Sequence, residues 1–194
     1  MQYIMTPFAK SIPAWCWWDN LYTEDELNYL QAKCKNADSP GLVGGNEGLA
    51  PSDVRRCKID WLKNTPECNW LYEKLASLVS NINSTYYNFD LNGFGEPFQL
   101  THYESDDSGM YNWHQDFNTG NISRKLSVVI QLSDPLDYTG GDLQLLDDGG
   151  KTVTIKKKRG YITIFPSYTL HQVTPVLSGN RQSAVAWISG PAFK

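Results

Sequence analysis

The sequence predicts a mainly β fold with flanking helices, built as a double sheet or jelly roll. Three observations predict it. From Tyr86 onward the chain breaks into short β-rich runs separated by turn signals. Before that, two segments carry apolar residues at helical spacing. Aromatic residues make up 13% of the chain, with 7 Trp and 11 Tyr, which favours packed sheets. A chain of 194 residues fits one domain with a substantial core. We read residues 1–194 as that domain, with a helical N-terminal part over about 1–85 and a β core over about 86–194. The sequence contains no internal repeat and no low-complexity tract.

Residues 1–22 read as aromatic and strand-like, with Trp15, Trp17 and Trp18 expected to pack on a sheet or, on a sharper reading, to line a ligand site. Thr23-Glu24-Asp25-Glu26 fits a capping box, with the hydroxyl at the N-cap and Glu26 three residues on. The helix it opens should run to about Asn36, with Leu27, Leu30 and Cys34 on one face. Residues 38–52 form a Gly- and Pro-rich loop, readable as a lid or as a plain surface loop. Residues 54–62 read as a strand, with Arg55 and Arg56 in solvent or one of them at a site mouth. Thr65-Pro66-Glu67 signals a second helix start, and Leu71, Leu75, Leu78 and Ile82 give its buried stripe. Asn83 and Ser84 should close it.

The β-rich runs are 98–103, 125–132, 142–146, 152–156, 161–165 and 182–189. Asp134-Pro135, Gly140-Gly141, Asp147-Asp148-Gly149-Gly150 and Ser178-Gly179-Asn180 read as turns between them. Lys156-Lys157-Lys158-Arg159 reads as a solvated hairpin end, with an anion-binding patch as the alternative.

The formal net charge is −4, from 17 basic and 21 acidic residues, so the composition carries no nucleic-acid footprint. Cys16, Cys34, Cys57 and Cys68 form no C-x-x-C pair, which argues against a zinc ribbon or thioredoxin-type site. They read as free thiols in a reducing compartment. No apolar run approaches membrane-spanning length and residues 1–15 lack a signal-peptide core. The expectation is a cytoplasmic protein.

The chemistry concentrates in Tyr111-Asn112-Trp113-His114-Gln115-Asp116-Phe117. Side chains two apart on an extended segment project to the same side, so His114 and Asp116 can occupy adjacent positions around a metal. His171 is the candidate third ligand. Two His and one carboxylate suit Fe(II) and leave positions open for a co-substrate and O2. Ten residues after His171, Arg181 is a permanent cation able to grip a carboxylate with two prongs. His102 has no motif around it and reads as a core histidine.

This ordered set resembles the prolyl-hydroxylase-type Fe(II)/2-oxoglutarate-dependent dioxygenases, including those called PKHD-type hydroxylases. The resemblance rests on Tyr103, Tyr111 to Asp116, Arg124-Lys125-Leu126-Ser127 and Leu132-Ser133-Asp134-Pro135. It continues through Tyr138-Thr139-Gly140-Gly141-Asp142-Leu143, the run from Gly160 to Ser167, His171 to Val176, Gly179, Arg181 and Trp187-Ile188. It implies a double-stranded β-helix core of jelly-roll or cupin-like type, and Fe(II) bound by His114, Asp116 and His171. It implies 2-oxoglutarate held at its distal carboxylate by Arg181, with Tyr103 lining that pocket. It also implies oxidative decarboxylation of 2-oxoglutarate to succinate coupled to C–H hydroxylation. Related halogenases lack the carboxylate ligand, so Asp116 favours hydroxylation. In one respect the chain departs from the pattern. Some relatives place a tyrosine or lysine where Gln131 stands, to help bind the distal carboxylate. Ser183, on the same face as Arg181, is the candidate replacement. The expected substrate is a peptidyl proline or similar side chain. The alternatives are a free amino acid, other small molecule or nucleobase, and a non-catalytic jelly-roll binding module. Oligomeric state is open.

Overall fold

A computed structural model describes residues 12–42, 53–117 and 123–192. In chain order its elements are β1 (Cys16–Trp18), α1 (Glu24–Lys35), β2 (Ser39–Pro40), β3 (Arg55–Arg56), β4 (Lys58–Leu62), α2 (Asn69–Ile82) and β5 (Gly93–Phe94). They continue as β6 (Phe98–Glu104), β7 (Met110–His114), β8 (Arg124–Gln131), β9 (Tyr138–Gly140) and β10 (Leu143–Leu146). The last are β11 (Thr152–Thr154), β12 (Ile162–Pro166), β13 (His171–Val173) and β14 (Val176–Ser189). The larger sheet runs β1-β12-β8-β14-β6-β4-β2, with β5 and β9 also on β14, and the smaller runs β11-β10-β13-β7-β3. The two face each other as a mainly β, double-stranded β-helix core with two flanking helices.

Alternation along β14 assigns its faces. Ala184, Ala186 and Ile188 join the core shared with Leu27, Leu30 and Cys34 of α1 and Leu71, Leu75, Leu78 and Ile82 of α2. Val185 packs instead into the second core, between the sheets, with Val129, Phe165, Leu145 and Val173. Arg181, Ser183 and Trp187 share the parity of Val185. The inner face of the larger sheet therefore carries polar residues in an otherwise apolar layer, the usual mark of a site.

Helix α1 starts as its sequence dictates. Glu26 N–H donates to Thr23 Oγ1 at 3.3 Å and Thr23 N–H donates to Glu26 Oε2 at 2.9 Å, which completes the capping box. Helix α2 starts later than expected. Thr65 to Cys68 closes a separate turn, with Cys68 N–H on Thr65 O at 3.0 Å and the Thr65 hydroxyl against Cys68 Sγ at 3.4 Å. At its other end the chain does not stop at Ser84. It widens into a π-helical turn, Asn83–Tyr87, closed by Asn88 at φ 54°. That turn buries Tyr87, whose hydroxyl reaches Ile164 O at 3.2 Å.

Four further expectations are corrected by tertiary pairing. Trp17 and Trp18 are about half exposed, at 52% and 49%, because β1 is an edge strand paired only with β12. Residues 54–62 are not one strand. The segment breaks at Cys57, so β3 pairs with β7 in the smaller sheet and β4 with β6 in the larger. Arg55 is consequently buried rather than solvated, and of the two arginines it is the one brought toward the site, against Tyr111. Ser178-Gly179-Asn180 is not a turn between strands but a bend inside β14, with Gly179 at φ 68°. The basic run is largely paired. Lys157 meets Asp142 at 2.8 Å, Lys158 meets Asp19 at 2.8 Å, and Arg159 binds Glu24 at 3.2 Å and Asn28 at 2.8 Å on α1. Of the loop read as 38–52, residues 43–52 lie outside the described residues, as do residues 1–11 of the N-terminal segment. All four cysteines are free. No helix among the described residues is long and apolar enough to cross a membrane.

His102 is buried, and neither ring nitrogen has a hydrogen-bond partner among the described residues. Burial holds its pKa below the ordinary 6.5. The unfolded chain therefore binds a proton that the folded chain refuses, so stability is full above about pH 6.5 and falls as the pH drops below it. The thermal midpoint should decline between about pH 7 and 5. His102→Leu should lessen that slope, leaving the share that His114 contributes, and an unchanged slope in the variant would contradict the assignment.

Candidate active site

Strand β7 delivers His114 at its C-terminal end, and register sets His171 of β13 directly opposite. The two rings lie 4.1 Å apart between centroids. Asp116 follows just past β7 and is turned inward by its N–H bond to Ser167 O at 2.9 Å. Its Oδ1 is 3.8 Å from His114 Nε2 and its Oδ2 is 3.5 Å from His171 Nε2. One ligand atom from each of the three falls within 4.8 Å of the others, the reach of a single metal ion.

Hydrogen bonds set the protonation of this trio. His114 Nδ1 lies 2.7 Å from Asn112 O and His171 Nδ1 lies 2.9 Å from Thr169 O. A carbonyl only accepts, so each Nδ1 carries a proton, and Nε2 is the nitrogen left to bind a metal when the ring is neutral. Burial, reinforced by His171, pushes the His114 pKa down to about 3. Burial alone would raise the Asp116 pKa. His171, His114, the Trp187 indole and the Ser127 hydroxyl outweigh it and hold the carboxyl below its usual range. Ser127 Oγ donates to Asp116 Oδ2 at 2.7 Å and lies 3.0 Å from Ser167 Oγ. At neutral pH His114 is therefore a neutral imidazole and Asp116 a carboxylate, and with His171 they form a two-His, one-carboxylate donor set that fits Fe(II).

Ring packing fixes the imidazole planes. Tyr111 stacks on His114 with centroids 3.4 Å apart, and Phe165 meets His171 edge-on at 4.8 Å. Behind Tyr111, the Arg55 guanidinium sits 4.6 Å from the ring centroid and is held by Gln99 Oε1 at 2.8 Å. Trp187 is gripped from outside by Arg124, 3.7 Å from its ring, which is itself paired with Glu96 at 2.6 Å.

A second polar centre lies further along the same inner face. Arg181 is 1% exposed and pairs in register with Tyr103, with its guanidinium 5.3 Å from the Tyr103 ring centroid. Its Nη1 donates to Ser183 Oγ at 3.1 Å. Its Nη2 is buried with no hydrogen-bond partner among the described residues. Arg181 lines a cavity together with Gln131, Tyr138, Lys157 and Thr163. Gly141, at φ 60°, lets the backbone pass close by. A Cβ there would come within 3.0 Å of Arg181 Cδ.

The His114, Asp116, His171 trio is not part of that cavity's wall, but strand β8 joins the two centres. Ser127 at the Asp116 end and Gln131 at the Arg181 end share one face, with Val129 between them, about 13 Å apart along the strand. The structure thus gathers His114, Asp116 and His171 at one point and Arg181, Tyr103 and Ser183 at another. Sequence reasoning gave no role to Ser127, Ser167 or Tyr138, and read Lys157 only as part of a basic run. Tyr138 carried a signal, since it precedes the Gly140-Gly141 pair.

The family model of the 2OG-Fe(II) oxygenase superfamily matches residues 98–189. A PKHD-type hydroxylase of Shewanella oneidensis is 36% identical over 176 residues, covering 87% of this chain and 75% of that protein. A PKHD-type hydroxylase of Shewanella baltica is 45% identical over 69 residues, which span 36% of this chain and only 30% of that protein. Among solved structures, a prolyl hydroxylase of Trichoplax adhaerens in complex with a hypoxia inducible factor peptide fragment superposes with a TM-score of 0.76. Its identity is 19%, over 91% of this chain and 84% of that one. A Pseudomonas putida prolyl-4-hydroxylase gives 0.72 at 20% identity, over 93% and 94% of the two chains. At such identities the likeness concerns the fold. The family follows from the Shewanella oneidensis relative, matched over most of both chains: the chain belongs to the PKHD-type hydroxylases of the 2OG-Fe(II) oxygenase superfamily.

Proposed function

We propose that the protein is an Fe(II)- and 2-oxoglutarate-dependent dioxygenase that hydroxylates a peptidyl proline or a similar side chain. The observation that carries this reading is Arg181, a buried cation whose Nη2 has no hydrogen-bond partner among the described residues, on the sheet face that also leads to a two-His, one-carboxylate cluster. A buried guanidinium left without an anion is costly, and a co-substrate carboxylate would answer it.

His114 Nε2, His171 Nε2 and Asp116 would hold Fe(II), and Arg181 would hold the distal carboxylate of 2-oxoglutarate. Fe(II), when bound, supplies the site at which O2 is activated at the expense of 2-oxoglutarate, giving succinate and CO2. The chain's own part is positioning. The Asn112 and Thr169 carbonyls accept from the two Nδ1 atoms and so fix the ring orientations that leave each Nε2 facing Asp116. Ser127 holds Asp116 ionised and turned toward the histidines. Tyr103 supports the Arg181 guanidinium on its ring, and Ser183 fixes one of its nitrogens.

The peptide substrate is supported by the prolyl hydroxylases among the structural neighbours, one of them bound to a peptide fragment. The test has two stages. Anaerobic titration with Fe(II) and 2-oxoglutarate should produce a weak visible charge-transfer band. Aerobic turnover with a proline-containing peptide should then release succinate in step with hydroxylated product. Succinate released without peptide hydroxylation would transfer the reading to a small-molecule substrate. Absence of both band and succinate would leave a non-catalytic binding module.

A further inference from the structure

The cavity beside Arg181 contains a second hydrogen-bond donor that the sequence pattern does not assign. Ser183 is the obvious candidate, and its hydroxyl accepts from Arg181 Nη1 at 3.1 Å, but it is not part of the cavity wall. Gln131 and Tyr138 do line the cavity. Gln131 stands opposite Ser183 in the β8–β14 register, and its Nε2 donates to Tyr138 Oη at 2.6 Å.

That bond decides what Tyr138 can do. A phenol has one hydrogen to donate, and its oxygen accepts through its lone pairs. With Gln131 on the accepting side, the Tyr138 hydrogen remains available to another group. Tyr138 is 3% exposed, so that group is not bulk water. The ring is fixed in place. Lys157 Nζ lies 4.9 Å from its centroid, and Lys157 is itself held by Asp142 at 2.8 Å and Gly140 O at 2.5 Å. Burial raises the Tyr138 pKa above its ordinary value, with Arg181 opposing, so the phenol keeps its proton at neutral pH.

We propose that Tyr138, oriented by Gln131, is the second donor beside Arg181 to the distal carboxylate of 2-oxoglutarate, and that it sets the preference for a 2-oxo acid ending in a carboxylate. The inference rests on the reading of the site given above and adds a specificity-determining residue to it. The hydroxyl takes over, from β9, the task that a residue at position 131 would perform if it were long enough and of the right type. Gln131 acts through Tyr138.

The test compares two 2-oxo acids of equal chain length by calorimetry on the anaerobic Fe(II)-loaded protein. 2-Oxoglutarate carries the distal carboxylate, and 2-oxopentanoate has a methyl group in its place. Tyr138→Phe keeps the ring and removes only the donor. A hydrogen bond to a charged group supports an expected loss of about 10- to 100-fold in 2-oxoglutarate affinity. The affinity for 2-oxopentanoate should not change. Ser183→Ala should weaken 2-oxoglutarate binding less than Tyr138→Phe does. If Tyr138→Phe weakens both acids equally, the residue only shapes the cavity and the proposal is overturned. It is also overturned if Ser183→Ala has the larger effect. If the wild-type protein binds neither acid, the reading of the site itself fails, which is a distinct result.

Discussion

His171→Ala is expected to remove Fe(II) binding and 2-oxoglutarate turnover together. Losing a group that merely hydrogen-bonds to a metal ligand typically lowers affinity or activity by about 10- to 100-fold. Losing one of three ligands should exceed that, because two remaining donors cannot hold the ion against water. The position suits the experiment. His171 is buried, but it sits near the start of a three-residue strand whose pairing to β7 and β10 is made by backbone groups that alanine retains. The variant should show the wild-type circular dichroism spectrum. It should also lack both the charge-transfer band and succinate release. Retained turnover in a folded variant would refute the ligand assignment.

Arg181→Met should have two effects of opposite sign. Truncating one partner of a buried, hydrogen-bonded charge pair costs about 2–5 kcal/mol, so the 2-oxoglutarate requirement should rise by roughly 30- to several thousand-fold. Without ligand, the same change removes a buried cation whose Nη2 is unanswered and replaces it with an apolar chain of similar length. Such replacements are often neutral or stabilising, so the thermal midpoint of the ligand-free protein should hold or rise. A variant that lost affinity through general damage would show the midpoint falling instead. Thermal denaturation with and without 2-oxoglutarate reads both effects in one assay. The stabilising increment from the ligand should disappear in the variant.

What was legible in the sequence was what neighbours two to four residues away decide. The capping box at Thr23, the stripe on α2 and the shared face of Arg181, Ser183 and Trp187 all follow from local period. So does the pairing of His114 with Asp116, although Asp116 reaches the site through a backbone bond to Ser167 and not as a strand residue. The illegible features were those settled by partners far along the chain. Arg55 looks like a solvent residue until the break at Cys57 carries β3 onto β7 and under Tyr111. Arg159 belongs to a run of four basic residues, and only the approach of α1 gives it Glu24 and Asn28. The Thr65-Pro66-Glu67 signal was genuine turn chemistry, but the turn closed on Cys68 before the helix began. The two donors of the candidate co-substrate pocket divide the same way. Arg181 was visible by its spacing from His171, whereas Tyr138 needed the fold to bring β9 alongside β14 and against Gln131.

The placement of Arg181 and Trp187 on one uninterrupted strand has a consequence for how this chain can change by descent. They stand six positions apart on β14, about 20 Å along the strand, and residues 183–185 between them are paired on both sides, to β6 and to β8. A residue gained or lost between them would swing one of the two to the helix-facing side, since side chains alternate at every step. The identities of residues 182–186 are open to drift, but their number is not. The exposed turn at 147–150 has no such restriction, because no site residue depends on its length. Lineages of this protein should therefore differ in the span of that turn while conserving the count between the cation and the indole.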